Sequence, residues 1–145
     1  ILCQKTEPIT QFNDALTQLA EDMIDTSIAN RGLGLAAPQI GILSKIFVVT
    51  YKESFPIINP VLLSGSGSAI MEEGCLSLPE VNVPVERYTK IRLQYQTLTG
   101  ETIEKSFSKL MARIIQHEID HLNGILILDR TKECPPYSSQ DEKAQ

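Results

Sequence analysis

Between positions 12 and 28 apolar residues recur at three- and four-residue spacings. They are Phe12, Leu16, Leu19, Met23 and Ile24, with Asp14, Glu21 and Asp22 between them. This is the period of an amphipathic helix, and Asn30-Arg31-Gly32 supplies a stop. The pattern then changes. Residues 45–50 form a short apolar run that predicts a buried strand, and residues 57–63 predict another, interrupted at Pro60. The Ser-Gly-Ser-Gly-Ser stretch at 64–68 reads as a turn or flexible loop. Period-two alternation over 91–96, a Thr99-Gly100 turn signal and a returning segment at 101–107 predict a hairpin with one wet face.

A second helix is predicted over 109–123, with Ser108 as N-cap and Gly124 as stop. On a helical wheel Lys109, Arg113, Gln116, Asp120 and Asn123 form one stripe about 80° wide. Leu110, Met111, Ile114, Ile115, Ile119 and Leu122 cover most of the rest. So wide an apolar face describes a helix sunk into the domain with one narrow side left polar. Two helices and several strands that need no crossover connection give an α+β fold. Its antiparallel sheets pack around the second helix, with the N-terminal amphipathic helix alongside. Residues 1–130 are expected to form a single catalytic domain, and 131–145 a polar, poorly ordered tail.

Composition narrows the function classes. With 145 residues, 42% hydrophobic and 21% charged, the chain is an ordinary globular domain rather than a disordered one. A net charge of −5 argues against direct nucleic-acid binding. No apolar run approaches the roughly 20 residues that span a bilayer, and the first residues lack the basic and apolar regions of a leader. The cysteines, Cys3, Cys75 and Cys134, are odd in number and far apart, a poor disulfide framework. A cytoplasmic domain is the expectation.

The chemistry is concentrated on the second helix. His117 and His121, the only histidines in the chain, are four residues apart and therefore stacked one turn above the other, where both imidazoles can grip one metal ion. Glu118 projects about 100° around from His117, within reach of a metal-bound water. A buried carboxylate beside two histidines also needs a compensating charge, which a divalent cation supplies. Catalytic centres of this type usually take a third protein ligand. Position 127, where the extended zincin pattern has a third histidine, is Ile127, and Glu133 and Glu142 lie in the tail. Alone, Cys75 reads as a buried structural thiol. Beside an incomplete two-histidine site it becomes the candidate third ligand, held as thiolate by the metal, while Cys3 and Cys134 keep the structural reading.

The segment Gly32-Leu33-Gly34-Leu35-Ala36-Ala37-Pro38-Gln39 imitates a dinucleotide fingerprint, but a helix precedes it and Pro38 follows, so that reading fails. Two readings stay open: a plain glycine turn, or glycines that admit a close backbone such as an extended peptide. Gln39, if it faces the metal, offers an amide donor to a developing oxyanion.

Taken together, the segments G-L-G-L-A-A-P-Q (32–39), E-G-C-L-S (73–77) and Q-H-E-I-D-H (116–121) resemble, in order and spacing, the three signature motifs of peptide deformylase. The resemblance covers about residues 10–130. It implies hydrolytic removal of the formyl group from the N-terminal methionine of new polypeptides. It also implies one divalent metal ion, ferrous iron in many members, with zinc, nickel or cobalt able to occupy the site. The implied ligands are Cys75, His117 and His121. Glu118 is implied as general base on the metal-bound water and then as acid toward the leaving amine, with Gln39 and the Leu76 N–H on the oxyanion. The peptide is expected to add as a strand along Leu33, Gly34 and Gly74. Met71, Leu110 and Ile114 are expected to line the methionine pocket. Implied partners are formylmethionyl peptides and nascent chains met transiently at the ribosome, in the cytoplasm of a bacterium, of a phage-infected host, or in an organelle.

The chain departs from the family's pattern in places. The stretch before the first helix lacks the usual Asp-Pro-x-Leu-Arg, and the region after Arg130 is polar where many members carry a long helix, which resembles compact, including phage-encoded, forms. Asn82 replaces a frequent arginine, Arg87 is retained, and Arg113 falls where an apolar residue commonly lines the pocket. The rival expectations are a zincin-like endopeptidase, which would need a third His or Glu downstream, and a catalytically idle metal-binding domain, which would lack Glu118 or Gln39.

Overall fold

The computed structural model describes residues 6–75 and 78–125, and for 74, 75 and 78–83 the backbone alone. Leu76, Cys3, Cys134 and the predicted tail lie outside the described residues.

The first predicted helix is α1, Asp14–Ala29, capped by Asn13, whose side chain accepts from the Leu16 N–H. It is followed by β1 (Gly34–Ala36), a 3-10 turn (Ala37–Ile40), β2 (Ile46–Val49), β3 (Phe55–Ser66), β4 (Ala69–Cys75), β5 (Leu78–Arg87), β6 (Lys90–Gln96), β7 (Thr102–Ser108) and α2 (Lys109–Leu122). Five strands form one antiparallel sheet in the order β1-β2-β3-β6-β7, and β4 pairs with β5 in a second, two-stranded sheet.

The β2 strand explains the layering. All four of its residues are buried. Ile46 and Val48 join Leu16, Ala20 and Met23 of α1 in one apolar cluster, while Phe47 and Val49 join Ala112, Ile115 and Ile119 of α2 in another. Successive strand residues point to opposite faces, so the sheet is sandwiched here, with α1 on one face and α2 on the other. A strand covered on both sides reads as a continuous apolar run rather than an alternation, which is how residues 45–50 stand in the sequence. Farther along, β6 turns Ile91, Leu93 and Tyr95 toward α2 and leaves Arg92 exposed, as expected for a hairpin with one wet face.

One expectation needs correction. Residues 64–66 are not loop: Ser64, Gly65 and Ser66 continue β3 and pair with Arg92, Ile91 and Lys90, which leaves the turn to Gly67 and Ser68. The interruption expected at Pro60 is present as a bulge within β3. The register slips between Ile58 and Val61, and Asn59 takes φ 50°. The Asn59 side chain accepts from the Ile9 N–H and donates to the Ile9 carbonyl and Gln96 Oε1, holding the bulge in place.

The candidate active site is built on one helix

Of the fourteen residues of α2, the stretch Ala112–Gln116 and Glu118–Leu122 is buried, polar and charged members included. Its C-terminal end is fixed by a Schellman arrangement. Gly124, at φ 74°, donates to the His121 carbonyl at 3.2 Å, and Ile125 donates to the Asp120 carbonyl at 2.8 Å. Thr6 adds a side-chain bond to the Leu122 carbonyl at 2.9 Å. At the other end Ser108 holds the N-cap position without a side-chain cap bond, and the Lys109 N–H donates to the Thr89 carbonyl. The turn carrying His121 is thereby tied down.

His117 and His121 face each other with their Nε2 atoms 3.2 Å apart and their ring centres 4.9 Å apart. His117 Nδ1 is 2.8 Å from Glu73 Oε1. An ionised carboxylate can only accept, so His117 donates through Nδ1 and leaves Nε2 facing His121. Burial by itself would push the Glu73 carboxyl up. Hydrogen bonds from His117 and Arg87, and the Arg87 charge, outweigh burial and hold it well below the usual carboxylate range.

Glu118 is 4% exposed. It lies against β1: a Cβ added at Gly34 would stand 2.9 Å from Glu118 Oε2 and 3.1 Å from the Val48 carbonyl. Gly34 shares its face of β1 with Ala36, the face turned to α2, and the space a side chain would need there is taken by the carboxylate. The close approach in the glycine segment is thus between β1 and Glu118. Gln39 ends up in the 3-10 turn, its Oε1 accepting from the Ala36 N–H at 2.8 Å, which fixes the plane of its amide.

The remaining expected site residues are placed as follows. Gly74 and Cys75 end β4, with Cys75 opposite Leu78, and their side chains lie outside the described residues, as does Leu76. Ile114 is buried in the α2 apolar cluster and Leu110 packs against it. Leu33 and Met71 are exposed, and no described contact joins Met71 to Leu110 or Ile114. Leu33 immediately precedes β1, which lies at the edge of its sheet, and its carbonyl accepts from the Thr50 N–H.

The polar stripe of α2 is the main correction. It was expected on the side left polar, yet Arg113, Gln116 and Asp120 are buried, because the β4–β5 hairpin and Tyr88 cover them. Gln116 accepts from the Tyr88 N–H and donates to the Tyr88 carbonyl. Arg87 grips Glu73 through Nε and Nη2 at 3.0 and 2.8 Å and reaches Asp120 through Nη1. Arg113 donates to Glu73 Oε2 and to the carbonyls of Val85 and Ala69. Its guanidinium is therefore turned into this network. Sequence reasoning missed Glu73, Arg87 and Asp120 as partners of the site. The available signal was a charged stripe on a helix too apolar to lie at a surface, since buried charges need opposite charges to face them.

Comparisons with known proteins identify the family. Residues 1–136 match the family described as polypeptide deformylase. The peptide deformylase of Thermotoga neapolitana is 43% identical over 134 residues, covering 91% of this chain and 82% of its own. That of Heliobacterium modesticaldum is 43% identical over 137 residues, covering 94% and 91%. The crystal structure of peptide deformylase from Thermotoga maritima superposes with a TM-score of 0.87 at 42% identity, covering 89% of each chain. With the three sequence motifs, the α+β fold and all three comparisons in accord, the chain belongs to the polypeptide deformylase family, enzymes that remove the formyl group from the N-terminus of polypeptides.

Proposed function

We propose that this chain hydrolyses N-formylmethionyl peptides at a metal centre held by His117, His121 and Cys75. The observation that carries the reading is the pair of Nε2 atoms converging at 3.2 Å, with His117 anchored through Nδ1 by Glu73. Metal-bound histidines usually donate their other ring nitrogen to a carboxylate or carbonyl, which fixes tautomer and orientation. Two borderline imidazoles and a thiolate suit a divalent ion of the iron, zinc, nickel or cobalt kind, ferrous iron being the one the family resemblance favours. When bound, such an ion supplies Lewis acidity to the formyl oxygen and makes water a nucleophile near neutral pH.

The remaining work falls to the chain's own groups. Glu118 takes a proton from the attacking water and returns it to the leaving amine, so that formate departs and a free N-terminus remains. Its burial against Gly34 excludes other water from this transfer. The Gln39 amide and the Leu76 N–H donate to the oxyanion of the tetrahedral intermediate. The peptide extends the sheet at β1, along Leu33 and Gly34 on one side and Gly74 on the other. Met71, Leu110 and Ile114 receive the methionine side chain. Nascent chains in the cytoplasm, met at the ribosome, are the substrate this chemistry suits. No helix among the described residues is long and apolar enough to cross a membrane.

The test is formate release from formyl-Met-Ala-Ser by the metal-reconstituted protein, beside the acetylated analogue and a peptide with only internal bonds. Formate from the first substrate alone is expected. Cleavage of internal bonds would favour the endopeptidase reading, and one bound metal without any turnover would favour the idle domain.

A further inference from the structure

Arg113 is 6% exposed and sends one fork into three separate stretches of backbone or side chain. Its Nη1 donates to Glu73 Oε2 and to the Val85 carbonyl at 3.1 Å, and its Nη2 donates to the Ala69 carbonyl at 2.6 Å. Ala69 opens β4, Glu73 lies near the end of β4, and Val85 is on β5. Arg87 returns the gesture from β5, bonding Glu73 and reaching Asp120 on α2. Among the described residues the two-stranded sheet has no strand neighbour in the five-stranded one. Its described side-chain links to α2 run through these charges rather than through an apolar interface.

The four acceptor positions of the Glu73 carboxylate are all used. Oε1 takes His117 Nδ1 and Arg87 Nη2, and Oε2 takes Arg87 Nε and Arg113 Nη1. A carboxylate bonded on all sides cannot rotate, and neither can the imidazole it holds. Strand β4, which carries Cys75, is fixed along α2 by the same arginine that fixes the His117 ring.

We propose that Arg113 is a positioning residue of the metal centre, locking the His117 ring through Glu73 and setting the height of β4 on α2 through the Ala69 and Val85 carbonyls. This rests on the metal reading of His117 and His121 given above. A lysine could keep the charge beside Glu73 but has no planar fork to hold the two carbonyls at the same time. Partners that orient metal ligands typically change metal affinity by about 10–100-fold when removed.

The experiment measures Co2+ affinity by chelator competition, together with the visible spectrum of the bound ion, in the full-length protein and in Arg113→Met and Arg113→Lys. Asn13→Ala serves as a control for general loosening, since Asn13 caps α1 away from the site. Arg113→Met is expected to weaken Co2+ binding about 10–100-fold with an altered spectrum, Arg113→Lys by an intermediate amount, and Asn13→Ala not at all. Wild-type affinity and spectrum in both Arg113 variants would overturn the proposal. If Arg113→Met does not fold, Arg113→Lys decides alone, an unchanged affinity counting against. If the wild-type protein takes up no Co2+, the metal reading itself falls. Ring-nitrogen NMR shifts of the metal-free protein then judge Arg113: a His117 tautomer uniform in the wild type and mixed in Arg113→Lys supports the lock, and no difference overturns it.

Discussion

The two helices lie on opposite faces of the same strands and obey opposite rules. In α1 the buried residues are Leu16, Ala20, Met23 and Ser27, and Asp14, Glu21, Asp22 and Asp25 are left in water. In α2 an arginine, a glutamine, a glutamate, an aspartate and a histidine are buried among the apolar residues. The first helix needs only its stripe and its cap. The second holds charges out of water and must supply each with a partner, which ties it to β1, to the β4–β5 hairpin and to the backbone at Tyr88. A helix that only packs can tolerate change along most of its surface, whereas one that assembles a site cannot.

The strongest way to break this contrast is to remove the arginine that α2 does not itself carry. Arg87→Met takes from the buried carboxylates of Glu73 and Asp120 the arginine they share, and breaking such a buried pair costs about 3–5 kcal/mol. Urea unfolding of the metal-free protein should register that loss, and a change below about 1 kcal/mol would mean the network contributes little. Glu118→Ala acts on chemistry instead. It should lower kcat at least about a hundredfold while leaving metal content unchanged. Near-normal formate release by that variant would take Glu118 out of the mechanism.

What the sequence revealed and concealed follows the same division. The α1 period, the buried run at 46–49 and the alternation of β6 were legible because apolar burial imposes a period on the chain. The His117–Glu118–His121 spacing was legible because a helix turns spacing into geometry. The wheel also displayed the Arg113–Gln116–Asp120 stripe, but a wheel gives a direction and not what covers it. The covering hairpin was itself hard to read. Glu72, Glu73 and Gly74 break any apolar pattern in β4, Pro79 and Pro84 mask the alternation of Val81, Val83 and Val85 in β5, and this two-stranded sheet meets α2 through ion pairs. Strand β1 escaped for another reason: three residues beginning with glycine are too short to show a period.

Gly34 tests the boundary between packing and chemistry. Its missing Cβ leaves room for the Glu118 carboxylate, and a methyl there would stand 2.9 Å from Oε2 and 3.1 Å from the Val48 carbonyl. The backbone oxygen cannot yield, so Gly34→Ala must displace Glu118. Overpacking of this kind costs about 1–3 kcal/mol, and the displaced base should lower kcat by on the order of tenfold or more, since misplacement by about 1 Å is costly to catalysis. Full activity in Gly34→Ala would show that Glu118 works from a position other than the one against β1.

The smallest effect belongs to α1, and it is informative because it should be confined to stability. The Asn13 side chain accepts from the Leu16 N–H at 3.1 Å, satisfying one donor of the first turn. Replacing a cap of this kind with alanine costs about 1 kcal/mol. The loss should appear in urea unfolding while kcat, KM and metal affinity hold, because Asn13 lies at the far end of α1 from Ser27, whose bonds to Thr50 and Gly32 join the helix to the entry of β1. A drop in kcat or in metal affinity on Asn13→Ala would mean that the sheet transmits the state of α1 to β1 and Glu118, and the two helices would then have to be treated as one unit.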